Sequence, residues 1–274
     1  SGGPHVHFEV RETNGQIPTN PLNHGFKVKD SKHPELQKLW VYSHSESGHV
    51  DGLIQEKDIK LNGKSGGYSV TQDTIKALGI LSFGIAALDR FTSSINVCGI
   101  YSMDVKVNGA TIHKQQIDKF LFAKKRMVNC HIDYEKCIAD RYFVYRTYIA
   151  PGNKLDIYPS IKDGGTILIE NGKTYNVLVE VADHAGNKSK IAFTILGQKH
   201  QGSVLSKKEV ITDIFPPKQD NSFTNNSVRV NIPNGCLYDT LRFKYDLKPA
   251  CDDCISSVHS IGKLTNTPLH KSMT

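Results

Sequence analysis

The chain has 274 residues, which is long enough for roughly two domains with separate cores. Its 38% hydrophobic and 22% charged residues are ordinary for a globular protein and exclude a disordered or fibrous chain. The net charge of +7 comes from scattered lysines and arginines without an aromatic-interleaved basic stripe, so no nucleic-acid partner is expected. The longest apolar run, Ala77 to Leu88, is far shorter than the ~20 residues that cross a bilayer, so no transmembrane segment is expected.

The first predicted element is a strand over residues 5–11, where apolar and polar residues alternate. A period of two places His5 and His7 on one face of that strand. Two interpretations of this pair remain open: a solvent-facing strand that carries two imidazoles, or half of a metal centre, which needs three or four ligands. Asn14-Gly15 predicts a turn, and the two prolines of the exit segment 17–26 are expected to stop regular structure.

The next region, residues 39–196, consists of short runs rich in β-branched and aromatic residues, most of them bounded by Gly, Asn or Asp. DHAGNK at 183–188 predicts a turn, and Asn-Gly pairs predict further turns at 62–63, 108–109 and 171–172. The pair at 108–109 suits a tight hairpin. No βαβ alternation is present. We therefore predict a mainly β fold and assign residues 27–197 to one Ig-like antiparallel β-sandwich.

One segment departs from the strand pattern. Between residues 114 and 140, a helical period relates Ile117, Phe120, Leu121 and Lys124. We therefore predict a short helical insertion near 114–140, between strands of the sandwich.

The same segment carries a cluster of side chains that resemble metal ligands. Cys130 and Cys137 flank HIDYEK, which contains His131, Asp133 and Glu135. A charged surface turn explains this cluster at least as well as a metal site does, so both interpretations stay open.

Cysteine usage is otherwise uninformative about function. The six cysteines are too few to predict a disulfide scaffold or to identify a compartment. Cys251 and Cys254 have the spacing of half a zinc ribbon, but no second C-x-x-C completes four ligands. A strained disulfide or two thiols packed in a loop explain the pair equally well.

The C-terminal region is predicted to form a further β module. A polar stretch at 198–209 predicts a linker, and the residues after it again alternate like strands. There is room for about four strands, whereas a complete sandwich usually has about seven. We interpret residues 198–274 as a second β-rich Ig-like module that is truncated. Since the chain also begins within a strand pattern, we expect it to be a piece of a longer protein.

The N-terminal 26 residues closely resemble the C-terminal end of the lysostaphin-type (LytM, M-twenty-three family) zinc metallopeptidase domain. Domains of that family commonly end in a G-P-H-x-H-F-E strand, a turn with N-G, and then N-P-L. This chain has GPHVHFE at 3–9, NG at 14–15 and NPL at 20–22. The resemblance implies that residues 1–26 are the incomplete end of a zinc peptidase domain.

The rest of the chain resembles, more loosely, the Ig-like β-sandwich modules that follow the peptidase domain in longer relatives of the Bacteroidetes type. VEVADHAGNKSKIAFTI at 179–195 looks like the final hairpin of such a module. VRVNIPNGCLYD at 228–239 is similar to the strand pair that opens a second one.

The peptidase resemblance implies a role for each histidine of the H-x-H pair. In the family, the second histidine ligates zinc and the first acts on the activated water or the transition state, which implies that His7 is the Zn²⁺ ligand and His5 the catalytic histidine. Zinc in such a domain makes hydroxide available at neutral pH and polarises the scissile carbonyl. The family takes two more ligands from an upstream H-x-x-x-D, and none of the twelve histidines here has an aspartate four residues later. We therefore expect this chain to be inactive by itself.

Three functions are consistent with these patterns. The first is the C-terminal part of a bacterial cell-envelope zinc metalloendopeptidase that hydrolyses peptidoglycan peptide bonds, with the β-sandwiches as accessory or binding modules. The second is a non-catalytic binding or spacer module, since a fold does not imply a chemistry. The third is a degenerate peptidase homologue that activates another hydrolase. By resemblance, the expected partner is peptidoglycan or another cell-envelope polymer, and the expected location is periplasmic or extracellular.

Overall fold

A computed structural model describes residues 6–45, 48–53, 56–200, 212–238, 240–248, 257–263 and 269. The chain divides into two compact units, Ser1–Leu205 (unit 1) and Ser206–Thr274 (unit 2). Both units consist of β-strands in mostly antiparallel pairings with few helical residues, which confirms the predicted fold class. The predicted linker at 198–209 lies mostly outside the described residues.

Unit 1 contains thirteen strands among its described residues. In chain order they are β1 (Val10–Arg11), β2 (Pro18–Thr19), β3 (Glu35–Ser43), β4 (His49–Val50), β5 (Glu56–Lys64), β6 (Gly67–Leu88), β7 (Ser102–Val107), β8 (Ala110–Gln116), β9 (Val144–Arg146), β10 (Ser160–Ile161), β11 (Ile167–Ile169), β12 (Thr174–Ala182) and β13 (Lys188–Gly197). β1 and β2 form a small antiparallel hairpin, and the other eleven strands belong to one continuous sheet system.

The 22-residue strand β6 links the two layers of this sheet system. Its first part, 67–77, pairs in parallel with β13, which continues through β12 and β7 to β8, and its second part, 81–88, pairs antiparallel with β3. Gly79 lies between the two parts with φ of +94°, a left-handed conformation that glycine adopts without strain. One strand can therefore serve both layers.

The core of unit 1 lies between these layers. Phe83 of β6 and Phe193 of β13 are both buried, and their ring centroids are 5.4 Å apart. Along β12 and β13, buried residues largely alternate with less buried ones, as the period of two predicts. This packing fixes the ends of β6 and β12, where the loops of unit 1 converge.

Most of the predicted turns are confirmed. Asn108 and Gly109, with φ of +49° and +82°, form the tight turn between β7 and β8 that an Asn-Gly pair favours. Turns also lie at 14–15 and 171–172, and the turn predicted at 183–188 lies at 184–185, before β13 begins at Lys188. The turn predicted at 62–63 is wrong, because those residues pair within β5 and the turn to β6 lies at Ser65-Gly66.

The N-terminal strand is shorter than predicted. Only Val10 and Arg11 pair with β2, whereas residues 6–9 have no regular secondary structure and Val6 is 95% exposed. The expectation that both prolines stop regular structure is wrong at Pro18, which lies in β2. An edge strand tolerates a residue that has no N–H to donate.

The predicted helical insertion is present but starts later than residue 114. Residues 114–116 belong to β8, and the helical residues are a 3₁₀ helix (Phe122–Met127), α1 (Val128–His131) and α2 (Tyr134–Asp140). Asp133 caps the N-terminus of α2, where its side chain accepts a hydrogen bond from the backbone N–H of Lys136. A further 3₁₀ helix, Pro21–His24, follows the N-terminal hairpin, and a short one, Asp163–Gly165, precedes β11.

Unit 2 has five described strands, one more than the sequence pattern predicts. They are β14 (Asp213–Phe215), β15 (Asn221–Thr224), β16 (Arg229–Ile232), β17 (Leu241–Lys248) and β18 (Val258–Lys263). β14, β17 and β18 form one antiparallel sheet, and β15 and β16 form a hairpin. Buried side chains such as Phe215, Ile232 and Phe243 give this unit a small core of its own. Cys251 and Cys254 lie outside the described residues.

Candidate functional site

The predicted zinc ligand His7 lies on the surface in a short chain of charged groups. Its Nε2 atom is 2.7 Å from Oε1 of Glu9, and Arg11 Nε donates to the other Glu9 oxygen at 2.6 Å. Hydrogen bonds first from His7 and then from Arg11 lower the pKa of Glu9. The His7 side chain is 70% exposed. His5, the predicted catalytic histidine, lies outside the described residues.

The hairpin that follows His7 is fastened to the body of unit 1. The backbone N–H of Asn20 donates to the carbonyl of Asp118 at 2.7 Å, and Thr19 forms a β-bridge with Lys119. Lys119 also reaches Glu12, with Nζ 2.5 Å from Oε1. The segment that resembles a peptidase terminus therefore packs directly on the residues between β8 and the helical insertion.

A pocket of about 380 Å³ lies beside this hairpin, within unit 1. Residues 18–22 form one wall, and Cys98, Tyr101, Phe120 and His184 contribute to the others. The pocket is mainly apolar, with a few polar groups at its edge. It offers space for a small group.

A hydrogen-bonded network around Asp118 holds the polar edge of this pocket. Tyr101 Oη donates to Asp118 Oδ1 at 2.6 Å, and Asn23 Nδ2 donates to the same oxygen at 2.9 Å. His184 Nε2 is in turn 2.6 Å from Asn23 Oδ1. Burial and the hydrogen bond to Asp118 raise the pKa of Tyr101 to about 12. Burial also acts to raise the pKa of Asp118, but hydrogen bonds from Tyr101, Asn23 and Gln116 outweigh it, so the pKa of Asp118 is lowered. The network locks the hairpin in place rather than poising a group for proton transfer.

The thiol in this pocket is not activated. Burial, followed by the negative charges of Asp89 and Asp30, raises the pKa of Cys98 above its usual value. A thiol must ionise to act as a nucleophile or a metal ligand. Cys98 therefore stays protonated at neutral pH, and the geometry gives no support to a cysteine-based hydrolase.

Part of the ligand-like cluster at 130–137 belongs to a buried network. Asp133 is fully buried, accepts a hydrogen bond from Tyr42 Oη at 2.9 Å, and lies 3.6 Å from Arg146 Nη2. His131 is also buried, and its Nδ1 is 2.9 Å from Tyr158 Oη. The interpretation as a charged surface turn is therefore wrong for His131 and Asp133, whereas Glu135 is exposed. The local sequence offered few signals of burial, because the partners come from distant strands.

His7 belongs to no group of three or more metal-ligating side chains among the described residues. Within the described part of the chain, one group of three or more His, Cys, Asp or Glu side chains is close enough to share a metal ion: Asp30, Asp89 and Asp183. This group consists of carboxylates and includes no histidine. The described residues therefore do not fit a complete zinc site of the peptidase type. Sequence reasoning did not identify this carboxylate group.

No described helix is long and apolar enough to cross a membrane. A family model of the Zu5-like domain matches residues 212–274, which is 63 of the 274 residues and covers the described strands of unit 2. We found no match to this chain among curated proteins or among solved structures. Unit 2 is thus similar to a Zu5-like domain.

Proposed function

We propose that residues 1–274 are the C-terminal part of a bacterial cell-envelope zinc metalloendopeptidase that hydrolyses peptidoglycan peptide bonds, with the β units as accessory or binding modules. The observation that carries the proposal is GPHVHFE at 3–9 followed by the NG of 14–15 and the NPL of 20–22, in the order typical of lysostaphin-type domains. A periplasmic or extracellular location belongs to the same proposal.

The attachment of the N-terminal hairpin supports this arrangement. The bond from Asn20 to Asp118 and the bridge from Thr19 to Lys119 join the peptidase-like segment to unit 1 without a flexible linker. An accessory module fixed in this way holds a constant orientation to the last strand of a peptidase domain. Such a module can present a polymer to that domain at a set distance.

Within this proposal, His7 is the metal ligand and His5 is the catalytic histidine. The described residues give His7 one side-chain partner, Glu9, and no group of three ligands that could share a metal ion. A catalytic zinc needs three protein ligands and one open position. We therefore expect residues 1–274 alone to bind zinc weakly, with the two further ligands coming from the upstream H-x-x-x-D that the resemblance implies.

Metal analysis after dialysis tests this expectation. Residues 1–274 should retain well under one zinc per chain. The variant His7→Gln and the matched exposed control His24→Gln should both retain about the same small amount of zinc as the unaltered protein. One tightly held zinc per chain that His7→Gln removes and His24→Gln keeps would show that the chain already contains a full site.

A binding or spacer module is the second candidate, because the described residues build two β units with their own cores and no zinc ligand set. Cosedimentation with insoluble peptidoglycan separates the candidates. Binding without release of soluble fragments supports an accessory binding module. Absence of binding leaves the spacer role, and release of fragments by residues 1–274 contradicts both expectations for the isolated chain.

A further inference from the structure

Three aspartates from distant parts of the sequence meet at one end of unit 1. Asp30 lies in the segment before β3, Asp89 directly follows β6, and Asp183 directly follows β12. One carboxylate oxygen from each lies within 4.8 Å of the others. Asp89 and Asp183 are 5% and 4% exposed, and Asp30 is half-buried.

Strand pairing explains why these residues meet. Glu35, at the start of β3, pairs with Leu88, the residue before Asp89. The Ser189 hydroxyl, just after the turn that Asp183 begins, donates a hydrogen bond to the carbonyl of Pro34. The segment before β3 is thereby held between the end of β6 and the turn from β12 to β13.

The hydrogen bonds in this cluster leave two carboxylate oxygens without partners. Asp30 Oδ1 accepts from Thr92, whose backbone N–H and hydroxyl are both 3.1 Å away, but Asp30 Oδ2 is buried and has no hydrogen-bond partner. Asp89 Oδ1 is likewise buried without a partner. Both Asp183 oxygens accept from Asn187, at 2.8 Å and 2.7 Å. A buried carboxylate oxygen without a partner is costly unless a ligand occupies the space beside it.

The charge of the cluster is also uncompensated within the described part of the chain. No described lysine or arginine forms an ion pair with Asp30, Asp89 or Asp183. The ammonium group of Lys32, in the segment before β3, donates to the Ser94 carbonyl. Three carboxylates held together in this way attract a small cation of high charge.

We propose that Asp30, Asp89 and Asp183 bind one calcium ion, which ties together the three loops at this end of unit 1. An all-oxygen set of carboxylates suits a hard cation, whereas zinc and copper favour nitrogen and sulfur ligands. Two oxygens across one calcium, each at about 2.4 Å, are up to about 4.8 Å apart, and the carboxylate oxygens of this group lie within that distance of one another. Calcium also accepts irregular geometry completed by carbonyls and water, whereas magnesium demands a near-ideal octahedron.

Calorimetric titration tests the site directly. The protein of residues 1–274, freed of metal with EDTA and dialysed, should bind one calcium per chain when titrated with calcium chloride. Asp89→Asn should weaken that affinity by at least about tenfold, because it removes one charged ligand. Asp30→Asn, which keeps the acceptor for Thr92, should do the same. The matched control Asp73→Asn changes an exposed aspartate of β6 and should leave the affinity unchanged.

Thermal unfolding distinguishes loss of the site from loss of the fold. Calcium should raise the unfolding temperature of the unaltered protein and of Asp73→Asn but not of Asp89→Asn. In EDTA, Asp89→Asn should unfold at the same temperature as the unaltered protein or higher, because one of three like charges is gone. The proposal is overturned if calcium gives neither heat nor a thermal shift, if Asp73→Asn weakens binding as much as Asp89→Asn, or if magnesium or zinc binds this cluster more tightly than calcium. It does not depend on the peptidase proposal.

Discussion

Acidification is expected to destabilise unit 1 through two buried histidines, of which His131 is the more strongly affected. Burial first, and then the charges of His113 and Arg146, lower the pKa of His131 to about 3, while burial lowers the pKa of His113 to about 4. Both side chains are therefore neutral in the folded protein at neutral pH. In the unfolded chain, each returns to a pKa of about 6.5.

The sign and size of the effect follow from these values. Below about pH 6.5 the unfolded state binds a proton at each histidine and the folded state does not, so the free energy of unfolding falls as the pH falls. The loss is about 1.4 kcal/mol per pH unit for each histidine until the folded pKa is reached. Between about pH 7.5 and about pH 5, His131 should cost about 2 kcal/mol and His113 a similar amount.

Urea unfolding followed by tryptophan fluorescence measures this loss. Trp40, the single tryptophan of the chain, is buried in unit 1 and therefore reports on the right part of the molecule. His131→Phe keeps a ring between Tyr145 and Tyr158, whose ring centroids lie 5.6 Å and 5.8 Å from that of His131. It also removes Nε2, a buried nitrogen without a hydrogen-bond partner.

We expect His131→Phe to lose about 2 kcal/mol less than the unaltered protein between the two pH values. The exposed control His24→Gln should lose as much as the unaltered protein. If His131→Phe shows the full loss, His131 titrates normally in the folded state, and the assignment of a buried neutral imidazole is incorrect.

Three further predictions concern the fold. The protein without residues 1–26 should still unfold cooperatively by circular dichroism, because the core of unit 1 contains no residue from that segment. A broad, non-cooperative transition would show that the hairpin is needed for the folding of the unit. Asp133→Asn should reduce the free energy of unfolding by about 3–5 kcal/mol, because it leaves the buried charge of Arg146 uncompensated, and a change of under about 1 kcal/mol in urea would refute that role. Gly165→Ala should lower the free energy of unfolding more than Gly172→Ala, because both residues have φ near +80° but only a Cβ at Gly165 would lie 2.1 Å from a backbone carbonyl oxygen, whereas a Cβ at Gly172 would meet open space. Equal losses of stability in urea would contradict this prediction and mean that the backbone around Gly165 shifts to make room.

Much of the fold can be predicted from local patterns, because the alternating segments become strands with one buried face. The residues of β12 and β13 follow this rule closely, and the Asn108-Gly109 turn forms as its sequence favours. Where two turn sequences compete, the local pattern is insufficient. NGKSGG at 62–67 contains two possible turns, Asn62-Gly63 and Ser65-Gly66. Leu61 pairs with Val70, and both side chains pack against the core, so the turn forms at Ser65-Gly66.

The candidate sites depend more on distant contacts than on local pattern. Alternation over residues 5–11 predicts a full strand, but a strand needs a partner along its length, and the hairpin pairs only Val10 and Arg11 of that strand. Asp30, Asp89 and Asp183 have no motif spacing, and only the pairing of β3, β6 and the turn after β12 brings them together. Asp133 and His131 likewise look exposed until the strands that cover them are known.

The central proposal, that His7 belongs to a hydrolytic metal site, is tested most directly by release of soluble fragments from purified peptidoglycan. The full-length gene product should release them, its His7→Ala variant should not, and its His24→Ala variant should match the unaltered protein. Residues 1–274 alone should release none. Full activity in the His7→Ala variant, with zinc content unchanged, would contradict the proposal.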